Sequence, residues 1–248
     1  MNAYDPKGNA KAKRIDAVTF TETQPPAHLS NVVHRFIELK TNGVLEEDYR
    51  FHALPDACIY IVFDQLDPQV TGVTTLRATS EELNLGRQFH FLNIRFLPGV
   101  FRLHREQSGY GQINTSYEGK LPLLDFSQRL VGQTPATQCA ILSNLVEALI
   151  TAKHVVPNAV TQKIFRDIED INTVSDMAVS SDLSPRQLQR TLKRTTGFAP
   201  HDFLKVLRLQ QALTTDTADN YADQSHFIHS FRKATGYTPV RYARKFDV

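Results

Sequence analysis

The chain has 248 residues, 41% of them apolar and 22% charged, with 28 Lys and Arg against 26 Asp and Glu. That length allows one large domain or two ordinary ones, and the composition is average for a soluble globular protein. No apolar run is long enough to span a membrane, the first residues carry no signal-peptide core, and Cys58 and Cys139 stand far apart; we therefore expect a cytoplasmic protein with reduced thiols.

Residues 1–24 are polar, hold a small basic cluster (Lys11, Lys13, Arg14) and end before Pro25-Pro26. A loose tail is expected there, with Ile15 to Phe20 able to make an edge strand. From about 29 to 125 the pattern is of strands. Val32–Leu39, Tyr49–Leu54, Ala57–Phe63, Val70–Leu76 and Gln88–Leu97 are short, β-branched or aromatic, and separated by Gly, Pro, Asp or Asn. Ile59, Ile61 and Phe63 take one face of their strand while Cys58, Tyr60 and Val62 take the other. A strand apolar on both faces is buried on both or lines a cavity, which points to a small barrel or sandwich. Asp56 and Arg95 would form a buried pair or bind a polar ligand there.

Helical periodicity follows. Pro135–His154 carries Ile141, Leu142, Leu145, Val146, Leu149 and Ile150 as one stripe, suited to packing on the barrel or to a dimer contact. Pro157 marks a boundary. Asn158–Ile171 predicts a helix with Val160, Ile164, Phe165 and Ile168 inward, and Thr173 caps a short helix over Val174–Ser180. A four-residue turn, with Asp182 in a left-handed position, leads to Ser184–Gly197. There Ser184 is a good N-cap, Pro185 suits the first helical position, and Gln187 completes a capping box. Leu183 and Leu188 have the spacing of a hydrophobic staple, and Leu188 and Leu192 would face a core. Gly197 sits where a left-handed C-terminal residue belongs. Arg186, Gln189, Arg190 and Lys193 remain on the outer face. Arg and Gln make two-pronged contacts to guanine and adenine edges, so this helix reads either as a DNA-recognition helix or as an ordinary solvated face. A short helix, a tight turn and a basic helix is the helix-turn-helix order.

Charge follows the same division. Residues 157–248 hold 13 Lys and Arg against 10 Asp and Glu, whereas residues 1–156 hold 15 against 16. A repeat strengthens the DNA reading: at an offset of 39 residues, Leu192, Thr196, Gly197, Phe198, Pro200 and Phe203 fall on Phe231, Thr235, Gly236, Tyr237, Pro239 and Tyr242. Between the copies, Pro200–Thr214 predicts a connecting helix of about 20 Å with Phe203, Leu204, Leu207 and Gln211 along one side. Such a connector would hold two reading helices in successive major grooves.

These residues resemble the C-terminal region of the AraC/XylS family of bacterial transcription regulators. The resemblance rests on Ala178, Leu183-Ser184, Arg186-Gln187-Leu188, Arg190, Gly197, Pro200, Arg208 and Ala212, and on the second block Tyr221–Phe227, Phe231-Arg232-Lys233, Gly236 and Thr238-Pro239. It implies an α+β chain: a β-barrel or sandwich-like domain with flanking helices over 25–156, and an all-α double helix-turn-helix over 157–248. Base-reading positions carried over by the resemblance are Arg186, Gln189 and Arg190 in the first unit and Gln224, Ser225 and His229 in the second. Phosphate contacts are expected from Ser184, Lys193, Arg194, Arg232, Lys233, Arg241 and Arg244. The segments Leu54–Cys58, Val62-Phe63 and Ile94–Phe101 resemble a sensor domain often attached to this module, which makes Asp56, Tyr60 and Arg95 candidate effector contacts. Double-stranded DNA is the implied partner, with a small-molecule effector, a homodimer and RNA polymerase beside it.

In one respect the chain departs from the family pattern. Only 214–220 separates the connecting helix from the second block, about ten residues too few for a supporting helix. The second unit is thus expected to keep its reading helix and lose that helix's support. A second reading follows, an interaction module that pairs with an intact regulator. His52, Cys58 and His90 lack close metal-ligand spacing and read as buried or edge residues. The chain has no Walker loop, GxGxxG or GxSxG, so neither a cofactor nor an enzyme activity is expected.

Overall fold

The computed structural model describes residues 4–12, 17–74, 76–102, 115–214 and 224–247. Nine strands are described: β1 (Asn9–Ala12), β2 (Val18–Thr23), β3 (Val33–Thr41), β4 (Arg50–Ala53), β5 (Ile59–Asp64), β6 (Thr71–Val73), β7 (Glu81–Asn84), β8 (His90–Phe96) and β9 (Phe246–Asp247). They form a five-stranded sheet in the order β2-β3-β8-β5-β6 and a four-stranded sheet in the order β7-β4-β1-β9. Every pairing is antiparallel. Each strand expected between 29 and 97 is present, most of them trimmed at the ends, and β2 is the expected edge strand.

The five-stranded sheet is buried on both faces because each face has its own partner. Phe36, Ile61, Phe63, Ile94 and Phe96 meet two helices, α1 (Leu123–Leu130) and α2 (Pro135–Thr151), in the largest core. Leu142, Leu145, Val146 and Leu149 of α2 are all nearly inaccessible in that core. The stripe on α2 is therefore spent on its own sheet and is not left for a dimer contact. On the opposite face, Val18 and Leu39 pack with Tyr49 and Phe89, with Phe51 of the second sheet and Leu85 just beyond β7 beside them. Here the two sheets form a sandwich.

Six more helices follow: α3 (Ala159–Arg166), α4 (Val174–Ser180), α5 (Pro185–Thr196), α6 (Pro200–Thr214), α7 (Gln224–Thr235) and α8 (Pro239–Lys245). The expected helix over 158–171 stops at Arg166. Asp167 caps that end: its N–H donates to the Lys163 carbonyl (3.2 Å) and its Oδ2 accepts from Ser180 Oγ (2.8 Å), and the chain turns there. Ile168 and Ile171 remain buried beyond that turn. On α6 the inward side also includes Val206, Leu209 and Gln210. Gln211, placed on that side from the sequence, is half-buried, with Nε2 donating to the Ile168 carbonyl (3.1 Å).

The N-terminal stretch is not a loose tail where it is described. Tyr4 is 2% exposed and stacks on Phe165 of α3, with ring centroids 4.5 Å apart. Lys7 N donates to Gln210 Oε1 (2.6 Å), and Gln210 Nε2 donates to the carbonyls of Lys7 (3.1 Å) and Pro55 (2.8 Å). Strand β1 then lies between β4 and β9, so the N-terminal segment ties the sandwich to the helices and to the C-terminus. Lys13 and Arg14, from the expected basic cluster, lie outside the described residues.

The second unit, expected to lack support, is packed against the sandwich. Phe231 of α7 and Tyr242 of α8 are buried with Leu54, Leu209 and Phe246 in one cluster. The ring of His52 on β4 stacks on Phe246 (4.8 Å, 11° between planes) and lies 5.6 Å from that of Tyr242. Ser80 N donates to the Ala234 carbonyl (2.7 Å). The support that a scaffold helix would give comes from the connecting helix and the β4 side of the sandwich. The segment 215–223, where the shortening falls, lies outside the described residues. We expect Leu54→Ala to cost about 2–5 kcal/mol in urea unfolding. In amide hydrogen exchange the loss of protection should be larger over 224–245 than over α5.

Candidate nucleic-acid interface

The first unit is built by caps. Thr173 and Asp176 form a capping box at the start of α4, with Asp176 Oδ2 accepting from Thr173 N (2.7 Å) and Thr173 Oγ1 accepting from Asp176 N (3.1 Å). The turn closes as Leu183 N donates to the Ala178 carbonyl (2.9 Å). Asp182 has φ +55°, the left-handed residue the turn requires. Ser184 then caps α5. Its hydroxyl accepts from Gln187 N (3.3 Å), its own N–H donates to Gln187 Oε1 (2.9 Å), and Pro185 opens the helix. At the other end Gly197 has φ +73° and Lys193 Nζ donates to its carbonyl (3.0 Å). An added Cβ at Gly197 would also stand 3.0 Å from Leu76 Cδ1, so the position suits glycine on two grounds.

With its ends fixed, α5 sorts its side chains cleanly. Leu188 and Leu192 are fully buried. Ser184, Arg186, Gln187, Gln189, Arg190 and Lys193 line one open concave surface. All the first-unit positions expected to read bases or hold phosphate are exposed, including Arg194.

The 39-residue repeat is repeated in geometry. Thr196 Oγ1 donates to the Leu192 carbonyl (2.7 Å) and accepts from Phe198 N (3.2 Å). Thr235 Oγ1 donates to the Phe231 carbonyl (2.8 Å) and accepts from Tyr237 N (3.3 Å). Gly236, like Gly197, is left-handed (φ +79°), and Pro200 and Pro239 each open the following helix. The second reading helix is α7, with His229, Arg232 and Lys233 exposed; Arg241 and Arg244 are exposed on α8. The side chains of Gln224 and Ser225 lie outside the described residues.

A second cluster lies inside the sandwich. Cross-strand register puts Arg35, Arg95 and Tyr60 on one face of the larger sheet. Tyr60 Oη donates to Asp56 Oδ2 (2.5 Å), and Asp56 Oδ1 accepts from Cys58 N (3.0 Å). Arg95 is wholly buried, pairs with Glu22 and donates from Nη1 to the Pro6 carbonyl (3.0 Å). Gly8 packs directly on the cluster: an added Cβ would stand 1.8 Å from Tyr60 Oη. Burial, and then the charge of Asp56, push the Tyr60 hydroxyl well up, so it stays a donor. Asp56, Tyr60 and Arg95 are thus brought together as expected, but the chain's own Pro6 and Gly8 press against them. Neither Gly8 nor Gln210 stood out in the sequence; the only available signal was an amide placed within the apolar face of α6. His52 is buried in the aromatic cluster described above, Cys58 is buried beside Asp56, and His90 Nε2 lies 2.9 Å from Glu38 Oε1. Among the described residues no group of three or more His, Cys, Asp or Glu could hold a metal ion, and no helix is long and apolar enough to cross a membrane.

Beside this cluster His34 is 3% exposed, with Nε2 2.8 Å from Asp5 Oδ1. Burial, with the Arg95 and Arg35 guanidiniums adding to it, lowers its pKa to about 3. The folded chain keeps His34 neutral while the unfolded chain protonates it near pH 6.5. Its contribution to stability is therefore complete above pH 6.5 and lost progressively as pH falls from 6.5 toward 3. Urea unfolding across that range should show the decline, and His34→Gln should flatten it.

Residues 177–245 match the family described as a helix-turn-helix domain, and residues 21–108 match a domain of unknown function, DUF6597. Among solved structures, one of ToxT from Vibrio cholerae is 9% identical with a TM-score of 0.40, covering 93% of this chain and 98% of that one. A second, of unsaturated fatty acid bound wild-type ToxT from Vibrio cholerae strain SCE256, is also 9% identical with a TM-score of 0.40, covering 98% and 97%. No curated protein matches the chain.

Proposed function

We propose that this chain, whose residues 177–245 belong to the AraC-type helix-turn-helix family, is a sequence-specific DNA-binding regulator of transcription. The observation that carries the reading is α5. Its apolar residues are wholly buried, and its Arg and Gln side chains converge on an open concave face with both helix ends capped. A helix needs that sorting to enter a major groove as a rigid body. Arg186, Gln189 and Arg190 read base edges there, and Lys193 and Arg194 hold phosphates. The repeated turn geometry supports a second reading helix in α7, with His229 toward the bases and Arg232, Lys233, Arg241 and Arg244 toward the backbone. The interaction-module reading rested on an unsupported second helix; the cluster around Phe231 and Tyr242 favours the regulator reading over it.

On this reading residues 25–156 form the sensing part and 157–248 the DNA-binding part. The buried group of Asp56, Tyr60 and Arg95 supports a response to a small polar effector, which would have to displace Pro6 and Gly8 to reach it. Fluorescence anisotropy on a bound duplex and its single-base variants tests the base-reading assignment. Arg190→Ala should flatten the differences between variants by about 1–3 kcal/mol at one or two positions. Lys193→Ala should weaken every duplex alike and lower the salt slope by about one. Wild-type discrimination in Arg190→Ala would contradict the assignment of α5.

A further inference from the structure

The segment that leaves the larger sheet passes along the C-terminal end of α5 and is fastened there at every step. Thr161 Oγ1 donates to the Pro98 carbonyl (3.0 Å), and Asn158 Nδ2 donates to the Gly99 carbonyl (3.0 Å). An added Cβ at Gly99 would stand 2.5 Å from Asn158 Nδ2 and 3.1 Å from Thr196 Cγ2, so this backbone lies directly against the last residue of α5. Val156 N donates to the Val100 carbonyl (2.9 Å), and Arg102 N donates to the His154 carbonyl (2.8 Å). Phe101 pairs with Val155 in an isolated bridge.

This fastening holds Arg102 beside Arg194. Partial desolvation against the 154–156 segment lowers the Arg102 pKa, and the neighbouring Arg194 guanidinium adds to that depression. Both side chains are exposed, and neither has an ion-pair partner among the described residues. On α5 the residues Arg186, Arg190 and Arg194 follow one another at intervals of four, so they form a single row along the helix. Arg102 approaches the last member of that row from another part of the chain. Arg186 and Arg190, at the start of that row, lie on the concave face of α5.

We propose that Arg102 is a DNA-phosphate contact supplied by the β-rich part of the chain, acting with Arg194 on one strand of the duplex at the C-terminal end of α5. The proposal rests on the reading of α5 as a DNA-recognition helix. It makes the DNA interface composite: the sandwich adds affinity without adding sequence choice, because a phosphate contact carries no base information. It also makes the 98–102 segment a fixed brace between sheet and duplex.

The test uses the full chain and a duplex it binds, with affinity measured over a range of salt concentrations. Arg102→Ala should weaken all duplexes alike and reduce the slope of log K against log salt by about 0.9, the value for one phosphate. Arg102→Lys should restore most of that slope. Arg129→Ala, which removes an exposed arginine on α1, serves as the control and should change neither quantity. The urea midpoint of Arg102→Ala should be unchanged or raised, since a like-charge contact is removed. An unchanged salt slope in Arg102→Ala would overturn the proposal, as would a lowered urea midpoint accounting for the weaker binding. Arg190→Ala, run in parallel, separates the two readings. Lost discrimination there with an unchanged slope in Arg102→Ala refutes only the composite interface. No effect from either variant refutes the recognition helix as well.

Discussion

The apolar cluster of Leu54, Leu209, Phe231, Tyr242 and Phe246 decides how the molecule is joined. Only residues 215–223 separate α6 from α7. The aromatic side chains of α7 and α8 must nevertheless leave water, and each is worth about 1.5–3 kcal/mol when it does so. They find their partners on α6, beside β4 and on the C-terminal strand. Part of the core of the second unit is thus supplied by the sandwich side, through Leu54. A change in the packing of β4 reaches α8 and β9 through His52, whose ring meets those of Tyr242 and Phe246.

The first unit is joined differently. Its core, formed by Ile164, Phe165, Met177, Leu188, Leu192 and Phe203, is largely its own, with Tyr4 and Ala57 added from the sandwich. Its links to the sandwich are mainly directed hydrogen bonds: Asn158 and Thr161 to the 98–99 backbone, and Gln210 to Lys7 and Pro55. Such bonds are buried and geometrically demanding, and losing one partner leaves a polar group stranded. The first unit is thus set in orientation by polar contacts and the second by apolar ones. Strand β1, between β4 and β9, closes the arrangement.

What was legible in the sequence is what is encoded locally. The capping boxes at Thr173 and Ser184, the left-handed Asp182 and Gly197, and the buried Leu188 and Leu192 each depend on residues within one or two turns. The 39-residue repeat was legible for the same reason, since each copy carries its own Thr-Gly-aromatic-x-Pro turn. The strand pattern pointed to a barrel or sandwich, because β5 is apolar on both faces. What was not legible depends on pairing across the whole chain. Asn9–Ala12 has no strand-like composition and becomes a strand because β4 and β9 offer it two open edges. Support for Phe231 comes from Leu54, 177 positions earlier. The link was read correctly as short, but the conclusion that the second helix lacked support assumed that support must be near in sequence.

The central claim is that α5 reads DNA, with α7 as a second reader held by the sandwich. The most direct measurement is selection of bound sequences from a random duplex pool, with the full chain, at two salt concentrations. The account predicts a long motif of two elements about one helical turn apart, retained as salt rises. Binding without sequence enrichment that disappears at the higher salt would contradict it, because only the phosphate contacts would then remain.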